Sequence, residues 1–399
     1  MSSDHTWVLT DVNRNLWIDE FYISSVDIGD SSEPLWSITK RTLQGGRRDG
    51  IDHIEVNNGE LSFNVLPTRG MGLWRGQYHD VRLGWDAPLR GPIHPKYVQL
   101  GDRGGLGWLS GFDEWMCRCG LGFNGPPGED KHTEGGTTIR QEPITLHGRI
   151  ANLPANYVRV EIDPNTPHDI SITGSVEEGG LFGGRLCLTT TYSTTPGSNR
   201  LTIIDEVENL GGLPAELELL YHCNLGPPLL EAGSRVVVPI KEMSPLTPRA
   251  AEGIETYAVY EGPQPGFAEQ VYCYKLHGDD EGKTVVLLHN LALDKAIALR
   301  HSVNELPCFT VWKNTGALED GYVTGLEPAL NYPNFKSFER EQGRVRVLRP
   351  GERYRATWSL EVYDTTEKIN GVKAEIEKLQ SRANPVIHKS PTKGFSALA

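Results

Sequence analysis

The sequence predicts an all-β chain: a large antiparallel sandwich with few short helices and one helix near its C-terminus. Three observations carry that expectation. Short runs alternating apolar and polar residues recur along most of the 399 positions. Forty-four Gly and 26 Pro separate them, the residues that turns demand. Only one stretch shows helical spacing.

Each element follows from its residues. "GELSFNVLP" puts Leu61, Phe63 and Val65 on one face, with Ser62 and Asn64 on the other, the period of a strand. "YVRVEID", "DISITGSV", "GRLCLTTTYST", "LTIIDEVEN", "SRVVVPI", "KTVVLLHN", "AIALRHS", "GRVRVLRPGE" and "YRATWSLEVYD" read the same way. All are β-branched or aromatic runs of strand length. "TTEKINGVKAEIEKLQSR", residues 365–382, repeats Ile369, Val372, Ile376 and Leu379 at helical intervals. Thr365 or Thr366 is a natural cap. Residues 1–362 therefore read as one sandwich domain, and 363–399 as a helix with a polar, loosely held tail. Residues 86–134, rich in Gly, Pro and aromatics, read as an irregular loop region that walls a site.

Composition narrows the partners. Lys and Arg total 39 against 52 Asp and Glu, a net charge of −13. An acidic chain disfavours nucleic acid and anionic membrane. No run of about 18 apolar residues suggests a membrane span. The start lacks the blocks of a signal peptide. Six scattered Cys form no disulfide framework, so a reducing cytoplasm with free thiols is expected. Cys117 and Cys119 lack the second pair a zinc site would need. They read as buried thiols, and no metal is expected. "GDRGGLGW" lacks the flanking strand and helix of a nucleotide fingerprint.

Four side chains suited to chemistry stand near strand ends. In "AELELLYHCNLGPP", Leu217, Leu219, Tyr221 and Cys223 share a core face, while Glu218, Leu220, His222 and Asn224 share the other. His147 precedes Gly148, where a ligand or another backbone can come close. Arg69, in "LPTRGMGLW", offers a rigid fork of donors. Glu327 follows an apolar strand and precedes Pro328, which holds it extended. Trp312 and Lys313 lie just upstream, with the Trp face a platform for a sugar ring. Glu and His are the usual pair for proton transfer without a metal.

In this order, "LPTRGMGLW", "LHGRIAN", "VENLGGLPAELELLYHCNLG" and "GYVTGLEPALNYPNF" resemble the galactose mutarotase (aldose 1-epimerase) superfamily, in particular its divergent aldose-1-epimerase-like branch. The resemblance covers roughly residues 10–362. It implies a β-supersandwich, a sugar ring opened and reclosed at the anomeric carbon, and no cofactor. Carried over by position, Glu327 matches the general base, His222 the acid on the ring oxygen, His147 a second histidine near that oxygen, and Arg69 a substrate-binding arginine. Asn224 and Asn331 belong to the matched segments and are expected to touch substrate. The family's substrate-binding aspartate has no clean match, and Glu269 and Gln270 are nearest in order. Asp113 and Arg118, in a loop motif foreign to the better-known mutarotases, are expected to shape a different pocket. Arg69, Arg75, Arg118 and Arg149, near the matched segments, permit an acidic or phosphorylated sugar. Two other readings share the fold: a carbohydrate-binding protein without catalysis, and a lyase or hydrolase acting on a glycoside.

Overall fold

The computed structural model describes residues 5–30, 33–134, 137–165, 167–181 and 183–399, with the backbone alone for 132–134 and 137–140. Two large sheets, of ten and fourteen strands, carry the chain. Among the described residues every ladder within them is antiparallel except one, where Val386–Ile387 runs parallel to Ile240–Pro245.

Strict alternation builds the smaller sheet. Arg200–Asn209 turns Leu201, Ile203 and Val207 inward, while Thr202, Glu206 and Glu208 stay half-buried outside. Ile172 and Leu188 from neighbouring strands join them, and Leu217, Leu219, Tyr221 and Phe309 meet them from the larger sheet. Fully burying each such side chain contributes about 1.5–3 kcal/mol. The inner faces of the two sheets thus form one core, and the outer face of the larger sheet is left free to build a site.

The helix spans Thr366–Gln380, and Thr365 caps it by accepting from the Lys368 amide. Ile369, Val372, Ile376 and Leu379 are buried against Val285, Leu287, Ala296 and Ala298. The helix therefore packs on the outer face of the smaller sheet, in the same chain. Among the described residues no helix is long and apolar enough to cross a membrane.

Two expectations need correction. The 86–134 region is not irregular throughout. It contains the strand Met116–Leu121, buried at all six positions, and Gly128–Glu134, which pairs with Thr137–Ile144. "MCRCGL" is buried on both faces, so it shows no alternation to read. The tail is not loose either. Phe395 is buried against Tyr332, and the Asn334 amide donates to the Phe395 carbonyl at 2.9 Å. The tail closes one end of the apolar cluster beneath the site described next.

Candidate active site

Five adjacent strands of the larger sheet bring the predicted side chains together. Their order is Gln270–Leu276, Cys308–Asn314, Val323–Ala329, Ala215–Leu225 and Met116–Leu121. Cys273 pairs with Thr310, Thr310 with Glu327, and His222 with Cys117. The register that sets Leu220 against Ala329 and Cys223 against Leu326 brings His222 level with Glu327. One row thus crosses the sheet with Thr310, Glu327, His222 and Cys117 on a single face. A second row places Trp312 opposite Gly325, and Gly325 opposite Asn224.

The His222 Nε2 and a Glu327 carboxylate oxygen stand 3.2 Å apart. The contact is not aligned as a hydrogen bond, and that oxygen, Oε1, has no hydrogen-bond partner. The imidazole is held from behind. The Asn224 amide nitrogen donates to the carbonyls of Glu114 (2.9 Å) and His222 (3.1 Å). Its oxygen therefore faces the ring and accepts from Nδ1–H at 2.6 Å. That fixes the tautomer and aims Nε2 at Glu327. Burial, and then the charge of Glu269, push the Glu327 carboxyl well above its ordinary value. Burial, and then His147, push His222 down to about 3. Burial disfavours two charges here, and both shifts favour a neutral carboxyl beside a neutral imidazole.

Aromatic rings wall this pair. Phe112, Trp312 and His147 lie 5.1, 5.3 and 5.5 Å from the His222 ring, centre to centre, and Trp108 lies 4.7 Å from His147. His147 adopts φ 58°, and its Nδ1–H donates to the Asn124 carbonyl at 2.8 Å. Burial lowers it to about 4, so it is neutral at physiological pH. Gly148 follows because backbone approaches there: a Cβ would lie 2.2 Å from the Gly120 carbonyl oxygen. His222 is 5% exposed and Glu327 2%. Half-buried His147 and Trp312 cover the pair, and exposed Glu269 accepts from the Trp312 indole N–H at 2.6 Å.

Other predicted contacts are placed elsewhere. Arg118 projects from the opposite face of its strand into the core between the sheets. There its guanidinium pairs with Asp205 and donates to Thr190 (2.7 Å) and Tyr192 (3.1 Å). It is out of reach of a ligand in the well. Arg69 is 1% exposed. It is bound to Glu114 (2.6 Å), to the Ile93 carbonyl and to Asn152, so it pins the loop that carries Phe112. Asp113 accepts from the Trp74 indole, and burial, then Glu114, raises it to about 7. Asn331 is buried in a double amide pair with Asn124 and donates to Glu218; that network sits behind His147. Asn224 contacts His222 rather than open space. Lys313 and Gln270 pair with each other on the reverse face of the strands that present Trp312.

Several site residues escaped the sequence reading. Trp108 and Phe112 lie in the loop expected to wall a site but carried no individual signal. Thr310 is fully buried opposite Glu327, and its hydroxyl has no partner. Gly325 is two residues before Glu327, so strand parity alone places it on the same face. A Cβ there would sit 2.4 Å from Glu327 Oε1 and 3.2 Å from His222 Cε1. Gly325→Ala is therefore expected to displace the carboxylate and lower any activity of this pair on the order of 10²-fold, with the fold intact by circular dichroism. Full activity in that variant would show that this carboxylate position is not used.

A trough of about 980 Å³ runs along the smaller sheet beside the C-terminal helix. Among its charges, Arg300 binds Glu361 and Glu375, and Arg382 binds Asp280; His301 and Trp358, also in its lining, carry buried ring nitrogens without partners. The Glu327–His222 site also has buried, unpartnered polar atoms: Glu327 Oε1, Thr310 Oγ1 and the Trp108 indole nitrogen.

The fold has solved relatives. A protein from Klebsiella pneumoniae described as a "putative aldose 1-epimerase" superposes with a TM-score of 0.90 at 32% identity, over 97% of this chain and 98% of that one. A galactose mutarotase-like protein from Clostridium acetobutylicum gives 0.59 at 16% identity, over 82% and 98%. A galactose mutarotase related enzyme from Lactobacillus acidophilus gives 0.52 at 13% identity, over 79% and 98%. The last two show a shared fold alone. No curated protein matches the sequence. Residues 48–362 match the family described as Domain of unknown function (DUF4432), and the chain belongs to that family.

Proposed function

We propose that this protein is an aldose 1-epimerase-like isomerase that opens and recloses the ring of an uncharged sugar with Glu327 and His222, and no cofactor. The observation that carries the reading is the 3.2 Å separation of the Glu327 oxygen and the His222 nitrogen at the base of an aromatic well. A cyclic hemiacetal bears its hydroxyl and its ring oxygen on one carbon. Two neighbouring proton-exchanging atoms, as these are, can therefore serve both oxygens.

Ring opening removes a proton from the hydroxyl and delivers one to the ring oxygen. The C–O bond breaks, the aldehyde face rotates about one C–C bond, and reclosure reverses both transfers. A pair holding a single proton can begin with either partner as donor, since opening and closing are mutual reverses. The resemblance makes His222 the acid. The electrostatics of the empty site favour the other starting tautomer, with the proton on Glu327. Each positioned group supplies about 10²–10⁴-fold. Trp312 and Phe112 offer apolar faces to a ring, and Thr310 and Trp108 offer polar atoms to its hydroxyls. With so little of the pair exposed, the reading requires the wall of the site, where Glu269 accepts from the Trp312 indole, to move aside for a ring. Arg69 and Arg118 are consumed by internal carboxylates, so neither is free to hold an acidic substrate.

The test is to dissolve pure anomers of a broad sugar panel and follow their equilibration by NMR with the protein present. Acceleration supports the reading. Binding without acceleration favours a carbohydrate-binding protein, and an unsaturated or cleaved product favours lyase or hydrolase chemistry. A pH series adds a sharper result. His222 takes up a second proton only near pH 3, and Glu327 retains its own well above the ordinary carboxyl range. kcat/KM is therefore expected to lack the inflection near 6.5 that a free imidazole gives, because burial holds His222 at about 3. A limb near 6.5 that NMR assigns to the His222 ring would contradict this buried, neutral imidazole.

A further inference from the structure

Lys313 and Gln270, expected from sequence to meet the sugar, line a separate cavity of about 200 Å³ behind the strands that present Trp312. Lys313 is only 4% exposed. Its Nζ donates to the carbonyl oxygens of Thr256 (3.2 Å) and Val259 (2.7 Å) and stands 5.0 Å from the centre of the Tyr260 ring, which leaves one N–H without a hydrogen-bond acceptor. It makes no ion pair among the described residues. Two carboxylates also line the cavity, but both are engaged with other donors: Glu252 with Arg249, and Glu261 with the Gln264 amide. Thr315, at the same cavity, is 1% exposed, and its hydroxyl has no partner.

These are two deficits of one kind. A buried ammonium with no carboxylate in ion-pair contact is costly, and it is normally paired; here Glu261 acts only from beyond that contact. A buried hydroxyl without a partner costs about 1–3 kcal/mol. Both groups border one void, which is open at the rim formed by Arg249, Glu252 and Gln264. We propose that this cavity binds a compact oxyanion, a phosphate or carboxylate group, on the Lys313 ammonium and the Thr315 hydroxyl, with the Gln270 amide beside it. The volume admits such a group. Burial lowers Lys313 to about 8, with the charge of Glu261 acting the other way. The cavity shares no residue with the well. Trp312–Lys313 and Glu269–Gln270 are nonetheless sequence neighbours on opposite faces of the same two strands, so an occupant here sits directly behind the Trp312–Glu269 tether. The inference stands whatever reaction the well performs.

The test uses the full-length protein, titrated by calorimetry with sodium phosphate and separately with sodium acetate, at fixed ionic strength. Saturable binding is expected for at least one of them. Phosphate alone indicates a phosphoryl ligand, and both indicate any compact oxyanion. Lys313→Met is expected to abolish the binding, and Thr315→Val to weaken it about 3–10-fold. In protein with labelled lysines, the NMR titration midpoint of Lys313 is expected to rise from about 8 when the anion is bound. Should Lys313→Met fail to fold, the Thr315→Val affinity and the Lys313 midpoint decide. Absence of saturable binding by either anion would overturn the proposal, as would binding that Thr315→Val leaves unchanged with the Lys313 midpoint unmoved.

Discussion

Glu327→Gln is expected to slow anomer interconversion by about 10²–10⁴-fold, and His222→Asn by a similar factor. The glutamine keeps the shape of the carboxyl but can neither take nor give a proton. It would occupy the same place opposite Thr310 and beside His222, so a large loss cannot be assigned to collapse of the well. The asparagine removes the nitrogen that faces Glu327 and vacates the Nδ1–H that Asn224 accepts at 2.6 Å. Because the two groups exchange one proton as a unit, the double variant is expected to be little worse than either single one. Kinetics of purified variants, with circular dichroism to confirm folding, check this. Strictly multiplicative losses would mean that the two act in separate steps.

The largest stability effect is expected from the ion pair between the sheets. Asp205 is 1% exposed and Arg118 is equally buried. The guanidinium also donates to Thr190 and Tyr192, so nearly all of its fork is spent. Asp205→Leu leaves that cation in the core without its counter-charge, and removing one partner of a buried pair costs about 3–5 kcal/mol. Replacing both, Arg118→Met with Asp205→Leu, is expected to recover most of the loss, since an apolar pair of similar volume is often neutral. Urea unfolding of the three proteins measures the difference. If the single variant matched the parent, Arg118 would not be held as the structure shows.

The expectations that succeeded and those that failed divide along physical lines. Leu217, Leu219, Tyr221 and Cys223 were legible as core, and His222 as facing the other way, because that strand alternates over many residues. The terminal helix was legible because Ile369, Val372, Ile376 and Leu379 repeat at one period. Arg118 was not legible. Its neighbours Cys117 and Cys119 are as buried as it is, and a strand covered on both faces hides which way each residue points. Trp312 with Lys313, and Glu269 with Gln270, show the same limit from another side. Adjacent residues on a strand project to opposite faces, so only one of each pair could meet a ligand in the well. Choosing between them needed the register that sets Thr310 opposite Glu327. The tail was misread because a polar composition conceals one anchoring residue, Phe395, and the amide of Asn334 that receives it.

The central claim is that one carboxyl and one imidazole, at a separation of 3.2 Å, pass a proton to and from a sugar's anomeric centre. Magnetisation-exchange NMR on sugars already at anomeric equilibrium measures that event without any net reaction. The account predicts exchange between the α and β anomeric signals of at least one sugar, at a rate proportional to protein concentration and lost in both Glu327→Gln and His222→Asn. Exchange that persists undiminished in folded samples of both variants would contradict it.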